Sequence, residues 1–300
     1  MFLTILTPTY NREKSLVRLF ESLEHQTNTN FEWIVVDDGS TDDTRTLVDQ
    51  LSKRSKIGIK YLNKINGGKH TALNCGLANA SGDLIFIVDS DDWLTPDAVE
   101  SIYGAYEEYR DRKDICGFSF LRKYPDGEIN GSLFKEDRYI ASYIQARINS
   151  NDTHADKAEV YYARVLNEFP FPEFLGEKFL GEDIVWIRIA RKYKMVHLNK
   201  AIYIGDYLSD GLTNNRRINN INSPVGCFNR AIEFSYPDIA IKQRIKGCIQ
   251  LIVYGKFAGK SIKEIIGHSH ARFLTTVLIP VGFVVYRKWS NTYLLNESRG

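Results

Sequence analysis

Short apolar runs alternate with amphipathic stretches over the first 121 residues of the chain. The apolar runs have the length and the Ile, Val and Phe content of buried β-strands, and lie at 3–6, 33–36, 57–61, 84–88 and 115–120. The stretches between them have helical spacing and lie near 12–25, 42–53, 69–79 and 96–110. This alternation predicts an α/β fold with a parallel, doubly wound sheet and helices on both faces.

The pattern changes after residue 121. Residues 122–150 are rich in Gly, Asp, Asn and Arg, which indicates a mobile or substrate-facing excursion from the sheet. A Pro- and Gly-rich cluster at 169–183 leads into a predicted helix at 184–194. Two strand-like pieces follow near 195–198 and 201–207, and from about 220 the pattern is helical. We therefore expect a helical C-terminal extension, with a soft boundary near 238.

Polar residues follow the predicted strands at the edge where ligands bind in such sheets. Open α/β sheets bind ligands beyond the carboxyl ends of their strands. The residues at those places are Thr7, Asp37-Asp38, 63–69 and Asp89-Ser90-Asp91-Asp92. Three of these four places carry side chains suited to a nucleotide or a metal ion.

The Asp89-Ser90-Asp91-Asp92 run gives the strongest chemical signal. Two aspartates separated by one residue at the end of a buried strand present hard oxygen ligands, which suit Mg²⁺ or Mn²⁺ bridging a diphosphate. An acidic turn that caps the next helix is the alternative interpretation, and for an isolated Asp-x-Asp it is the more common one. The context of the other strand ends favours the metal site.

The ends of the first two strands suit the base of a nucleotide. An aspartate such as Asp38 can accept a hydrogen bond from a base N–H, and the backbone near Thr7 can receive the base beside it. Asp38-Gly39-Ser40 also has the composition of a simple turn, and both roles are compatible. The Asn66-Gly67-Gly68 turn permits close backbone approach, and Lys69 after it is a candidate phosphate contact.

Charge is distributed unevenly along the chain. The net charge is +2, but residues 239–300 hold ten Lys/Arg against two Asp/Glu, giving +8 for the tail and −6 for residues 1–238. The four cysteines lack Cys-x-x-Cys spacing, which indicates neither a zinc site nor a disulfide framework and fits a reducing cytoplasm. The chain begins directly with an apolar run and has no basic leader, so we expect no targeting signal there.

The five motifs together resemble glycosyltransferase family 2, of the inverting type that builds bacterial cell-surface polysaccharides on a GT-A fold. They cover about residues 1–121 and are Thr7-Pro8-Thr9-Tyr10-Asn11, Val36 to Asp42, Asn66-Gly67-Gly68-Lys69 through Asn74, Gly82-Asp83, and Asp89 to Asp92. The resemblance implies a Rossmann-like, mostly parallel sheet in a catalytic domain at 1–238. Its nucleotide-binding half would be 1–121, its acceptor-binding half 122–238, and 239–300 a basic amphipathic tail.

The same resemblance implies roles for individual residues. Asp91 and Asp89 would bind Mn²⁺ or Mg²⁺, and the donor, most simply a UDP-sugar, would contact Thr7, Pro8, Tyr10, Asp38, Gly68, Lys69, Asp89 and Ser90. Glu182 and Asp183 match the pair that supplies the general base, with Asp183 the preferred base and the choice between them open. Two carboxylates at a helix start are also ordinary capping chemistry. A loop at 209–215 with Arg216 or Arg217 is a weaker candidate for closing over the diphosphate.

The implied function is transfer of a sugar to a hydroxyl of a glycan or lipid-linked glycan. A non-catalytic nucleotide-sugar-binding module and a nucleotidyltransferase remain alternatives, although the latter usually has a Gly-rich basic loop where this chain has Thr-Pro-Thr-Tyr-Asn. A nucleic-acid partner is disfavoured because the basic residues lie in an apolar tail.

The basic tail leaves two interpretations open. Its apolar run from Phe273 to Tyr286 contains Pro280 and is shorter than the roughly 20 residues needed to span a bilayer. The tail would therefore lie on the inner face of the cell membrane as a peripheral contact, or pack on protein, including a second subunit. We expect a cytoplasmic protein in either case.

Overall fold

The computed structural model describes residues 2–150, 155–205 and 216–294. Nine strands lie within these ranges: β1 Leu3–Thr9, β2 Phe31–Asp37, β3 Gly58–Asn63, β4 Leu84–Ile87, β5 Trp93–Leu94, β6 Ile115–Lys123, β7 Tyr139–Ala141, β8 Lys157–Tyr162 and β9 Lys194–Ile204. The helices of the first half are α1 Glu13–Glu24, α2 Thr44–Arg54, α3 Lys69–Leu77, α4 Ala98–Tyr109, α5 Ala163–Glu168 and α6 Asp183–Ala190. Those of the second half are α7 Arg216–Asn222, α8 Pro224–Glu233, α9 Ile241–Phe257, α10 Ile262–His268, α11 Arg272–Val277 and α12 Ile279–Trp289.

The strands form one mixed sheet in the order β3-β2-β1-β4-β8-β6-β9-β5, with β7 paired to β9. β1 is parallel to both β2 and β4, and β2 is parallel to β3. β8 runs antiparallel between β4 and β6. The predicted α/β sheet and its parallel first half are thus confirmed, whereas the part beyond β4 is mixed and not mostly parallel.

The differences from the sequence-based elements are local. β8 was not predicted at all, and it fills the centre of the sheet. The two predicted pieces near 195–198 and 201–207 form the single strand β9, and the helix predicted at 184–194 ends at Ala190. The excursion predicted at 122–150 contains β7 and a π-helical turn, Ile144–Ile148.

The apolar runs form the core because parallel strands are covered on both faces. All seven residues of β1 and all four of β4 are buried. The core of the sheet includes Ile5, Val35 and Phe86, none of which is exposed. Since β1 lies between β2 and β4, the residues after these strands meet at one edge of the sheet.

The backbone contacts divide the chain into two units. The first is Met1–Phe171 with Ile189–Leu208, and the second is Pro172–Arg188 with Ser209–Gly300. The second unit therefore includes the segment before α6 as well as the C-terminal helices. The boundary predicted near 238 lies within this unit and remains a prediction about functional parts.

The second unit has its own helical core. It consists of Cys227, Phe228, Ala231, Leu251, Ile252, Tyr254 and Ile265. Gly255 lets α9 approach α10 closely, since a Cβ there would lie 2.6 Å from the Ile265 side chain. A capping box begins α10, in which Ser261 and Glu264 each bond the other's backbone N–H. Across the three described ranges, no helix has the length and apolarity needed to cross a bilayer.

Candidate functional site

The carboxyl ends of β1, β2 and β4 bring the predicted donor-site residues to one edge. The Asp38 N–H donates to the Thr9 carbonyl oxygen at 2.9 Å, and the Val88 N–H donates to that of Leu6 at 3.0 Å. These bonds hold the chain after β2 and the chain after β4 against β1. The acids at 37–38 and at 89–92 therefore share this edge of the sheet.

Asp38 organises the glycine turn before α3. Its Oδ1 accepts from Lys64 Nζ at 2.7 Å and from the Gly67 N–H at 2.9 Å, while Oδ2 accepts from the Gly68 N–H at 2.7 Å. Gly68 has a φ of 92°, which residues with a side chain rarely adopt. Asp38 is thus already engaged with the protein, and Oδ2 keeps one lone pair for a further donor.

The β1 residues predicted to contact the base differ in their exposure. The Thr7 hydroxyl is buried and accepts a hydrogen bond from Trp33 Nε1 at 3.0 Å. Pro8 is buried within the strand opposite Val36, whereas Tyr10 is half exposed. Thr7 and Pro8 are therefore packed inside the structure, and Tyr10 presents its ring at the surface.

Lys69 and Asp89 form an ion pair at the start of α3. The Lys69 Nζ lies 2.5 Å from Asp89 Oδ1, and both side chains are partly exposed. Burial alone would raise the pKa of Asp89, but the positive charges of Lys69 and Arg122 outweigh it and lower that pKa. Asp89 is therefore ionised at neutral pH and oriented toward α3.

Asp91 lies beside a second group of cations from α1 and the turn before it. Arg12 Nη2 is 3.8 Å from Asp91 Oδ2, and Arg18 Nη2 donates to the Asp91 carbonyl oxygen at 2.6 Å. Arg18 is fixed in place by stacking 3.8 Å over the Trp93 ring. Burial and the negative charge of Asp89 raise the pKa of Asp91, against the opposing positive charges of Arg12 and Lys69.

A third acid, Asp92, belongs to a buried network that sequence analysis missed. The Tyr203 hydroxyl donates to Asp92 Oδ2 at 2.6 Å and accepts from the Asp89 N–H at 3.0 Å. Arg122 Nη1 lies 3.5 Å from Asp92 Oδ2, and its guanidinium group lies 3.9 Å over the Tyr203 ring. Burial and Asp89 raise the pKa of Asp92 to about 7, against the opposing effects of Arg122 and Tyr203. Through these contacts, Tyr203 and Arg122 support the acidic turn on its buried side.

The acidic turn fits a divalent cation by the chemistry of its donors. Asp89 and Asp91 offer hard carboxylate oxygens, and a divalent cation beside them would relieve the repulsion by which Asp89, together with burial, raises the pKa of Asp91. Within the described part of the chain, no three His, Cys, Asp or Glu side chains are grouped to enclose a metal ion. Mg²⁺ is commonly bound by one or two carboxylates together with substrate phosphates, and this turn supplies the two carboxylates of such a donor set.

Asp183 in the second unit is held by an arginine. Its two carboxylate oxygens accept from Arg230 Nε and Nη2, a bidentate pair that fixes the plane of the carboxylate. Gly181 leaves room for this pair, since a Cβ there would lie 2.9 Å from Asp183 Oδ1. Although burial lowers the pKa of Arg230, the charge of Asp183 raises it overall. Glu182 precedes the helix, and its carbonyl oxygen accepts from the Val185 N–H.

The structure thus brings Asp38 to Gly68 and Lys69 to Asp89, while their contacts with a base and a phosphate stay predictions. Ser90 is buried between Asp89 and Asp91. The loop predicted at 209–215 lies outside the described residues, while Arg216 and Arg217 begin α7. No sequence motif predicted that Arg122 and Tyr203 contribute to this site. The available signal was Asp92, a third acid in the 89–92 run, which needs a partner when it is buried.

Comparison with known proteins identifies the family. Residues 4–166, more than half of the chain, match the family described as Glycosyl transferase family 2. The chain belongs to this family. As a family 2 member it is 30% identical over 214 residues to "Glycosyltransferase GlyA" of Streptococcus pneumoniae serotype 4, covering 67% of this chain and 30% of GlyA. The chain spans about a third of the length of the first curated relatives it matches.

Two solved structures resemble this family 2 chain in fold. The crystal structure of S. aureus TarS 1-349 in complex with UDP-GlcNAc has a TM-score of 0.66 at 20% identity, covering 99% of this chain and 92% of that one. The mannosyltransferase PcManGT from Pyrobaculum calidifontis, in complex with GDP-Man and Mn²⁺, has a TM-score of 0.57 at 17% identity, covering 97% and 84%. These likenesses confirm the GT-A fold with its helical C-terminal region.

Proposed function

We propose that this chain transfers a sugar from a UDP-sugar to a hydroxyl of a glycan or lipid-linked glycan, with inversion, in surface polysaccharide synthesis. One observation carries the proposal: Asp89 and Asp91 lie with Lys69 and Arg12 at the carboxyl edge of a GT-A sheet. Family membership supports transfer over simple binding or nucleotidyl transfer. The complex of TarS with UDP-GlcNAc supports UDP as the nucleotide.

In this proposal the first unit binds the donor. The base lies against the end of β1 and Asp38, whose Oδ2 has one lone pair left for a base N–H. Lys69 and Arg12 offset the charge of the phosphates near the two acids. Asp91 and Asp89 would hold Mn²⁺ or Mg²⁺, and the Mn²⁺ complex of the mannosyltransferase supports this part of the proposal. When bound, the cation would offset negative charge on the leaving diphosphate.

Asp183 is the proposed general base, and Glu182 contacts the acceptor or the sugar. As the acceptor oxygen bonds to the anomeric carbon, Asp183 takes the hydroxyl proton, and the electrons of the broken carbon–oxygen bond leave with UDP. The pairing with Arg230 leaves each oxygen of Asp183 a second lone pair for that proton. Arg230 therefore acts as a positioning residue that keeps the carboxylate oriented.

A panel of nucleotide sugars tests the proposed donor. We expect the wild type to hydrolyse UDP-sugars slowly when Mn²⁺ is present, and to hydrolyse GDP- and dTDP-sugars less. Asp91→Asn should abolish this hydrolysis, while Asp49→Asn, an exposed acid on α2, should leave it unchanged. Nuclear magnetic resonance of the sugar first released should show the inverted anomer. A retained anomer, or binding of UDP-sugar without any turnover, would favour another mechanism or the binding-module alternative.

The C-terminal helices carry the proposed membrane contact. Phe273, Val277, Val281 and Val284 are 85%, 58%, 46% and 68% exposed and follow one another at helical spacing. Exposed Arg272, Arg287 and Lys288 flank them. An apolar stripe bordered by cations is suited to an anionic lipid surface, where a lipid-linked acceptor would be found.

Vesicle sedimentation tests this contact. The wild type should sediment with phosphatidylglycerol vesicles and much less with phosphatidylcholine vesicles. The double variant Phe273→Ser with Val284→Ser should no longer sediment with phosphatidylglycerol vesicles. Leu133→Ser, which changes an exposed apolar residue of the first unit, should sediment like the wild type. If the variant pair instead converts a dimer to a monomer and vesicles are not bound by the wild type, the stripe is a contact with a second copy.

A further inference from the structure

A cationic cavity lies within the second unit, apart from the residues used above for the donor. Its volume is about 440 Å³, and α7, α8, α9 and the turn at Tyr293 line it. Four cations belong to its lining: Arg216, Arg217, Arg230 and Lys246. The described lining contains no Asp or Glu side chain.

Only one of these four cations has a carboxylate partner among the described residues. Arg230 is paired with Asp183, and Arg217 instead lies 3.7 Å over the Trp289 ring. Partial burial and the positive charges of Arg230, Arg216 and Arg217 lower the pKa of Lys246. The cations are therefore close enough to repel one another, and a bound anion would relieve that repulsion.

Neutral polar groups complete the lining. Gln243 and Gln250 project from the same helix as Lys246, and Asn220 lies on α7. Tyr254 also lines the cavity and is 1% exposed. Amide and hydroxyl donors beside guanidinium groups match the several acceptor oxygens of a phosphate group.

We propose that this cavity binds a phosphate group carried by the acceptor. The inference rests on the proposed function, because Arg230 both lines the cavity and holds the proposed base Asp183. An acceptor anchored by its phosphate would be positioned relative to that carboxylate. The acceptor class is therefore a phosphorylated glycan, either a phosphate-bearing polymer or a glycan attached to a lipid phosphate.

A binding experiment with a simple phosphate ester tests the site. The probe is glycerol phosphate, with glycerol as the neutral match, measured by calorimetry without added metal. The test variant is Arg216→Gln with Lys246→Gln, and the matched control is Lys178→Gln with Lys263→Gln, two exposed lysines of the same unit. We expect the test variant to bind glycerol phosphate about tenfold or more weakly than the wild type, and the control to bind it normally. Equal affinity in all three proteins, or none in the wild type, overturns the proposal.

Two further measurements separate this proposal from the donor site. UDP binding with Mn²⁺ and hydrolysis of the UDP-sugar should be the same in the test variant and in the wild type. If UDP affinity falls as much as glycerol phosphate affinity, the cations serve the donor diphosphate and the inference is wrong. If the wild type hydrolyses the donor but does not bind glycerol phosphate, the proposed function stands and the inference alone fails.

The source of the phosphate is resolved by comparing two forms of the probe. Vesicles containing phosphatidic acid present the group on a lipid, and a short soluble poly(glycerol phosphate) presents it along a chain. Selective loss of vesicle binding in the test variant assigns a lipid phosphate, and selective loss of polymer binding assigns a polymer. Retention of both contradicts the proposal.

Discussion

The Lys69 ammonium group lies 2.5 Å from Asp89 Oδ1, where α3 begins beside the end of β4. Lys69 directly follows Gly68, whose N–H donates to Asp38. The ion pair therefore connects the glycine turn before α3 to the acidic turn after β4. An ammonium group has three donors, so Lys69 can keep Asp89 and contact a phosphate at the same time. The two sequence motifs therefore act as one structural group.

Replacement of Lys69 by Met should weaken the donor site. The loss of a charge-assisted hydrogen bond costs about 1.5–3 kcal/mol, so UDP affinity in the presence of Mn²⁺ should fall roughly tenfold to a hundredfold. Lys69→Arg should recover part of it, and the exposed Lys53→Met on α2 should have no effect. Titration calorimetry measures all three, and an unchanged UDP affinity in Lys69→Met would show that Lys69 only supports Asp89.

Removal of the Tyr203 hydroxyl should disturb the acidic turn at residues 89–92, because it removes two hydrogen bonds to that turn. In Tyr203→Phe the buried Asp92 loses its 2.6 Å donor and the Asp89 N–H loses its acceptor. We expect the free energy of unfolding to fall by about 1–3 kcal/mol, together with weaker Mn²⁺-dependent UDP binding. Tyr106→Phe, whose ring packs on Tyr162, is the control. Denaturant titration and calorimetry should show both effects in Tyr203→Phe, and an effect on neither would contradict the role of the network.

His197 should make the stability of the first unit sensitive to acid. It is fully buried, with Nε2 3.3 Å from the Ala141 carbonyl oxygen, and burial lowers its pKa to about 4. The unfolded chain binds a proton near pH 6.5 while the folded chain does not, so stability is present above pH 6.5 and is lost as pH falls toward 4. The loss is about 3 kcal/mol in the free energy of unfolding.

Denaturant titrations between pH 7 and pH 4.5 check this prediction. The wild type should lose stability across that range, and His197→Gln should lose less of it than the wild type. His25→Gln, at the exposed end of α1, should follow the wild type. Parallel pH curves for wild type and His197→Gln would be inconsistent with a neutral buried imidazole.

Neutralising Asp183 should remove transfer while leaving donor binding intact. Asp183→Asn is nearly isosteric, and we expect turnover with an acceptor to fall by about a factor of 100 or more, since a general base contributes on the order of 10²–10⁴. Mn²⁺-dependent UDP binding should remain, because the donor contacts belong to the first unit. Glu182→Gln should chiefly raise the KM for the acceptor. The opposite pattern in the two variants would exchange their roles.

The sequence predicted the parts of the fold that consist of local patterns. The runs that became β1, β2 and β4 are buried apolar segments, and the acids after them lie where parallel strands place such residues. β8 escaped prediction because it begins with Lys157, whose buried ammonium group donates to the carbonyl oxygens of Asn130 and Ser132. From sequence alone, a lysine at that position indicates an exposed residue, because the carbonyl oxygens that accept its hydrogen bonds come from a distant segment.

The supporting contacts of the site could not be found from sequence. Tyr203 is 111 residues from the Asp92 that it contacts, and Arg230 is 47 residues from Asp183. Such pairs form only because the sheet order and the helix packing bring distant segments together. Motifs therefore located the acids but not the residues that orient them.

Calorimetric titration of UDP into the protein with and without Mn²⁺ tests the central claim most directly. The account predicts that Mn²⁺ strengthens UDP binding to the wild type and to Asp49→Asn, and that this strengthening disappears in Asp91→Asn and is reduced in Asp89→Asn. If Mn²⁺ strengthens UDP binding equally in the wild type and in both variants, the acids after β4 do not hold the cation and the account is wrong.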